Sequence, residues 1–361
     1  MRTSAGSFVE PYKKCSKLEL FTAPYVIWGT GRVAQAFYRT YCAPEGKKPI
    51  FWVDSNAAKH GSRIAGIEVV APETFYQRSE DMYAKGGRLS VVIGATGIFL
   101  LEILSLLERR MVKAAVYSAV QLDAACYFSA EHARIEKIAQ KFSDEKSRHI
   151  YRSLIANMKS GRPVDFSLYE PNQYFGNDVI GELARGEVFV DAGVCHGEEI
   201  DRAIHGGGIF VHGFEPDAEN YAYLLKKYEG RDDVRIHPCA LWDKDERLVF
   251  QSNAATPSAS RLADADAHEE AAGIAARPLD DVLQGAACTL LKMDIEGAEY
   301  NALLGAAKTI EEQRPKLAVC IYHSLEDYVR IPDLLMERYP FYRFFVRQHS
   351  ATSGETVLYA L

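Results

Sequence analysis

The sequence has no excess of positive charge: 42 Lys and Arg stand against 49 Asp and Glu, a formal net charge of −7 over 361 residues. A partner held mainly through phosphates is not expected, because nucleic-acid binders present a basic face. No run reads as a membrane span. The longest apolar stretch, VVIGATGIFLLEILSLL at 91–107, is broken by two glycines and Glu102 and suits a strand, a turn and an amphipathic helix. The seven cysteines are scattered and include no CxxC pair, which suits neither a disulfide framework nor a zinc site. The opening stretch MRTSAGSFVEPYKKCSKLEL has neither the basic start nor the continuous apolar run of a secretory signal, so the expected location is cytoplasmic.

The chain is longer than one ordinary core needs, and two segments share a grammar: an apolar strand, a glycine-containing turn, a helix, then a second strand ending in an acid. The fold class expected is α/β, with two doubly wound Rossmann-like domains joined by a helical connector. The first runs over 1–120, opening with PYVIWGTGRVAQAFYRTY and continuing through FWVDSN, IEVVAPETF, SVVIGATG and KAAVYSAV. The connector covers 121–185. Its first part has charges and apolar residues at helical spacing, and its last, PVDFSLYEPNQYFGNDVIGELARGE, is rich in turn formers and aromatics and is expected as a lid. The second domain covers 186–361, with strands in VFVDAG, IFVHGF, VRIHPCALWD, RLVF, TLLKMD, KLAVC, YRFFV and ETVLYAL. The stretch 252–277 interrupts these strands and is expected as a flap beside an acceptor.

In the second domain Asp191, Gly193 and Gly197 mark the turn after the first strand, and Glu215 ends the second strand 24 residues after Asp191. Glycines there let backbone approach a ligand at a helix start, and a strand-end carboxylate accepts the hydroxyls of an adenosine ribose. This pair alone does not separate S-adenosylmethionine from NAD. The later motifs do. EVFVDAGVCHGEEI, HGFEPDAENY, CALWDKDERLVF, RPLDDVL, LLKMDIEGAEYNAL, AVCIYHSLEDYVRIPDLL and ETVLYA, in this order, resemble the FkbM family of S-adenosylmethionine-dependent methyltransferases, from Tyr174 to Leu361.

The resemblance implies a class I methyltransferase fold with a terminal antiparallel strand pair. It also implies methylation of a hydroxyl on a sugar, glycan or glycosylated natural product. Asp191, Gly193, His196 and Gly197 would then line the amino-acid end of the cofactor, Glu215 would hold its ribose, and Ala240 and Leu241 would flank its adenine. Cys195 and His196 replace the family's commoner small or acidic residues in that loop.

Reacting groups of open α/β sheets lie at the carboxyl ends of the strands, here Asp294, Glu296 and His323. His323, with an ordinary imidazole pKa, is the expected general base. Asp294 and Glu296, with Glu299 nearby, suit a hydroxyl clamp or a share in a divalent-cation site. In the first domain Gly29, Gly31 and Ala34 follow a strand, and Asp54 ends the next, 23 residues after Gly31. They fit a nucleotide or sugar-nucleotide site, NAD by the same logic, or a structural or assembly role. Two alternatives stand beside the methyltransferase: an NAD(P)-dependent oxidoreductase centred on the first domain and a non-catalytic nucleotide-binding protein. The expected partner is a small-molecule or carbohydrate acceptor, with a homo-oligomer left open.

Overall fold

A computed structural model describes residues 19–95, 97–160, 168–251, 261–263, 273–350 and 354–361. The chain divides into two compact units: residues up to 132 with 155–162, and residues 133–154 with 163 onward. The stretch expected as a connector is thus shared between the units.

The first unit contains β1 (Tyr25–Trp28), α1 (Arg32–Phe37), β2 (Trp52–Val53), β3 (Arg63–Ile64), β4 (Ile67–Val70), α2 (Pro72–Ala84), β5 (Ser90–Ile93), α3 (Gly97–Arg109), β6 (Ala115–Ser118) and α4 (Ala119–Ala130). Its sheet has the order β3-β4-β2-β1-β5-β6, parallel except for the β3–β4 pair. β1 and β5 are buried along their whole length, as strands covered on both faces must be.

Two helices follow, α5 (His132–Lys141) and α6 (Glu145–Ser160). The second unit then runs β7 (Val188–Ala192), α7 (Glu198–Ile204), β8 (Phe210–Phe214), α8 (Ala218–Lys227), β9 (Val234–His237), β10 (Ala240–Leu241), β11 (Glu246–Gln251), β12 (Arg261–Ala263), β13 (Ile274–Arg277), α9 (Leu279–Leu283), β14 (Leu290–Met293), α10 (Glu299–Gly305), α11 (Ala307–Gln313), β15 (Lys316–Cys320), α12 (Asp327–Arg338), β16 (Phe344–Gln348) and β17 (Thr356–Ala360). Its main sheet has the order β16-β17-β15-β14-β7-β8-β9. Six strands run in one direction, and β17 runs antiparallel to both neighbours. This is the class I methyltransferase architecture expected.

Two assignments differ. RLVF belongs to β11 in a separate sheet, β10-β13-β11-β12, because β11 pairs antiparallel with β13 rather than with the main sheet. Of the expected flap, 261–263 and 274–277 are strands of that small sheet, and 252–260 and 264–272 lie outside the described residues.

The chain leaves β7 toward β8 and β9 on one side and later builds β14 and β15 on the other. The crevice between β7 and β14 is therefore the topological switch point, where open α/β sheets hold ligands at their carboxyl ends. Local chemistry fixes its walls. Asp217 caps α8, accepting from the backbone N–H groups of Glu219 and Asn220 at 3.0 and 2.9 Å. Of the stretch 163–187 expected as a lid, 163–167 lie outside the described residues, and 168–180 is tied down at many points. Tyr169 bridges to Gln348, and the Glu170 N–H donates to the Gln348 carbonyl at 2.8 Å. Buried Arg347 donates to both carboxylate oxygens of Asp178, at 2.8 and 3.0 Å, and to Asp144 at 2.7 Å.

Candidate active site

The loop after β7 is shaped by chain packing against chain. Gly193 has φ +85°, and a Cβ there would overlap the Asp294 carbonyl oxygen. Gly197 has φ +82°, and its Cβ would overlap the Tyr228 hydroxyl, which donates to the Gly197 carbonyl at 2.8 Å. Both glycines are needed before any ligand is considered. The loop turns the Cys195 N–H toward Glu215 Oε2 at 2.8 Å, while the Asp217 N–H donates to Oε1 at 2.9 Å. Glu215 is 5% exposed, and burial raises its pKa against these two donors. The Asn220 side chain also bonds this carboxylate, and the lone pair left over suits a ribose hydroxyl, the role expected of it.

Asp191 differs from its expected role. It is 1% exposed and pairs at 2.8 Å with Lys292, its register partner across β7–β14. Burial pushes the Asp191 carboxyl up against the pull of Lys292. Lys292 also donates to the Gly193 carbonyl at 2.8 Å. Asp191 therefore supports the loop from beneath rather than lining it.

His196 is also displaced from its expected place: its ring is exposed, edge-on to Tyr223, and its Nδ1 lies 3.4 Å from Cys195 Sγ. Ala240 and Leu241 are buried and pair with Ala276 and Arg277 of the small sheet.

Across the crevice, Asp294, Glu296, Glu299 and His323 converge. The His323 side chain is 4% exposed, with Nδ1 2.9 Å from Glu299 Oε1 and Nε2 3.3 Å from Asp294 Oδ1 and 3.7 Å from Glu296. Burial works to lower its pKa, but Glu299, then Asp294 and Glu296, outweigh burial and carry it to about 9. The expectation of an ordinary imidazole is corrected: sequence spacing did not show that three carboxylates face one ring. Asp294, Glu299 and His323 are close enough together to hold a metal ion. Both ring nitrogens, however, face carboxylates at ion-pair distance, which suits an imidazolium; a histidine ligand needs one nitrogen without a proton.

Five further residues complete the site and were not singled out from sequence. Tyr174 donates to Asp294 Oδ2 at 2.7 Å, and the Tyr322 hydroxyl lies 3.2 Å from Oδ1 and 3.3 Å from Glu355 Oε1. Gln173 donates to Glu355 Oε2 at 2.8 Å. The fifth, Lys292, carried a readable signal, since a lysine inside LLKMD must find a buried partner. Burial raises the pKa of Asp294, but Lys292, His323 and Tyr174 outweigh it and hold the carboxyl below its usual range.

In the first unit Gly29, at φ +101°, donates to the Val53 carbonyl at 2.7 Å, and Gly31 opens α1. Asp54 is engaged by its own chain. Its Oδ2 accepts from the Thr30 N–H at 3.1 Å, the Thr30 hydroxyl and Lys59 at 3.1 Å, and its Oδ1 accepts from the Asn56 N–H at 2.9 Å. This carboxylate clamps two loops together.

Comparison with known proteins bears on the second unit. Residues 191–347 match the methyltransferase FkbM domain. A crystal structure of methyltransferase FkbM from Methylobacillus flagellatus KT superposes with a TM-score of 0.59 at 20% identity, covering 94% of this chain and 90% of that one. Aeropyrum pernix fibrillarin with natively bound S-adenosyl-L-methionine gives 0.34 at 12% identity, covering 51% and 70%. UDP-D-quinovosamine 4-dehydrogenase from Vibrio fischeri gives 0.22 at 18% identity, covering 27% and 76%. Likenesses as low as these last two carry no functional weight. No curated protein matches the chain. Within the FkbM match lie Asp191, Glu215, Asp294 and His323, while Tyr174 precedes it and Glu355 follows it.

Proposed function

We propose that the FkbM domain methylates a hydroxyl oxygen of a sugar, glycan or glycosylated natural product, using S-adenosylmethionine. One observation carries the cofactor reading: a buried Glu215 carboxylate, oriented by two backbone donors, ends β8 beside the switch-point crevice. S-adenosylmethionine supplies an electrophilic methyl group on a sulfonium. The chain supplies position and charge.

Asp294, fixed by Tyr174 and flanked by Tyr322 and His323, accepts the hydrogen bond of the acceptor hydroxyl. As the new oxygen–carbon bond forms and the carbon–sulfur bond breaks, that hydroxyl becomes acidic and its proton passes to Asp294. His323, with its pKa near 9, is protonated at neutral pH and acts by orienting Asp294 rather than as the base. Asp294, Glu296, Glu355, Gln173 and Tyr322 form a polar cluster, which favours a hydroxyl-rich acceptor. The oxidoreductase alternative would rely on Asp54, which holds Thr30, Asn56 and Lys59 of its own chain.

The test is transfer of labelled methyl from S-adenosylmethionine by the full chain to a panel of neutral glycosides, amines and phenols. The label should appear as a sugar O-methyl ether, and Asp294→Asn should lower the rate at least about 100-fold. Label found only on nitrogen or carbon contradicts the hydroxyl assignment.

A further inference from the structure

Tyr174 stands outside the glycine and carboxylate motifs, yet it touches both supports of the cofactor loop. Its phenol, 3% exposed, donates to Asp294 Oδ2 at 2.7 Å, and the Lys292 ammonium lies 5.2 Å from the centre of its ring. Lys292 holds the Gly193 carbonyl and Asp191, and the Asp294 backbone lies directly against Gly193. Tyr174 reaches this place at φ +66°, a backbone state disfavoured for an aromatic residue, with its N–H donating to the Tyr359 hydroxyl at 3.1 Å.

We infer that Tyr174 is a positioning residue of the methyl-transfer site: it fixes the direction of the Asp294 carboxylate and covers the Lys292–Asp191 pair. The inference rests on the reading that this crevice holds S-adenosylmethionine. A carboxylate gripped on Oδ2 presents Oδ1 to the crevice, where Tyr322 and His323 meet it. Without the phenol that constraint on Oδ2 is gone, and Tyr322 and His323 hold the carboxylate from the Oδ1 side alone. A residue serving only to fill the core would need the ring alone, which phenylalanine supplies.

Tyr174→Phe separates the two roles. Calorimetric titration of the full chain with S-adenosylmethionine and with S-adenosylhomocysteine gives a ratio of dissociation constants. One ligand carries a sulfonium charge and the other does not, so the ratio reads the charge presented to the sulfur, and a general loosening of the fold cancels from it. The variant should keep its affinity for S-adenosylhomocysteine within about twofold while its preference for S-adenosylmethionine falls by about threefold to tenfold. Asp294→Asn should show a similar loss, and the double variant no further loss, because Tyr174 acts through Asp294.

An unchanged ratio, an equal weakening for both ligands, or a loss that adds to that of Asp294→Asn would overturn the inference. Wild-type protein that binds neither ligand is a different failure, that of the cofactor reading itself.

Discussion

Lys292 and Asp191 show how much of the site depends on single buried groups. Replacing Lys292 with methionine leaves the Asp191 carboxylate buried without its cation, and should cost about 3–5 kcal/mol of stability, measured by denaturant unfolding. Asp191→Asn made in the same chain should recover part of that loss, because the stranded charge is gone. If Lys292→Met alone is as stable as wild type, the pair does not support the loop. At this scale the sequence was partly legible. Asp191, Glu215, Asp294 and His323 were singled out from their places at strand ends. The partner of Asp191 was missed because register is not written in a single strand, and the state of His323 was missed because Glu299 reaches it from α10, 24 residues earlier in the chain.

Among the elements, the segment 168–180 contributes most that was unforeseen. Rich in turn formers, it suggested a lid, yet Arg347, Tyr359 and His349 pin it to the terminal strands. His349 is buried, with Nδ1 donating to the Glu170 carbonyl at 2.6 Å and Nε2 accepting from the Tyr359 hydroxyl at 2.9 Å. Burial lowers its pKa from the ordinary value to about 4, outweighing Glu170. The folded form thus resists protonation. The stability this gives is complete above about pH 6.5 and is lost as pH falls toward 4, by about 3 kcal/mol as an upper figure. His349→Gln should flatten that acid limb in thermal melts between pH 7 and 4. An unchanged slope would show that acid acts elsewhere. The long apolar strands were legible because they are buried on both faces, whereas RLVF was misplaced because edge pairing depends on residues far along the chain.

For the molecule as a whole, the order of strands and glycine turns announced two α/β bodies, and the closing ETVLYAL strand distinguished the second from a dinucleotide fold. In the first body the same glycine grammar left a ligand site and a structural role both open, and Asp54 turns inward to Thr30 and Lys59. A strand-end acid looks the same in sequence whether it binds a ribose or ties two loops.

Binding of S-adenosylmethionine to the second unit through Glu215 is tested most directly by thermal unfolding of the full chain with S-adenosylhomocysteine. At 100 times the dissociation constant, binding should add about 2.7 kcal/mol and raise the melting temperature of a unit of this size by about 5–10 °C. Glu215→Ala should abolish the shift. A shift with NAD or NADP and none with S-adenosylhomocysteine would contradict the proposed function.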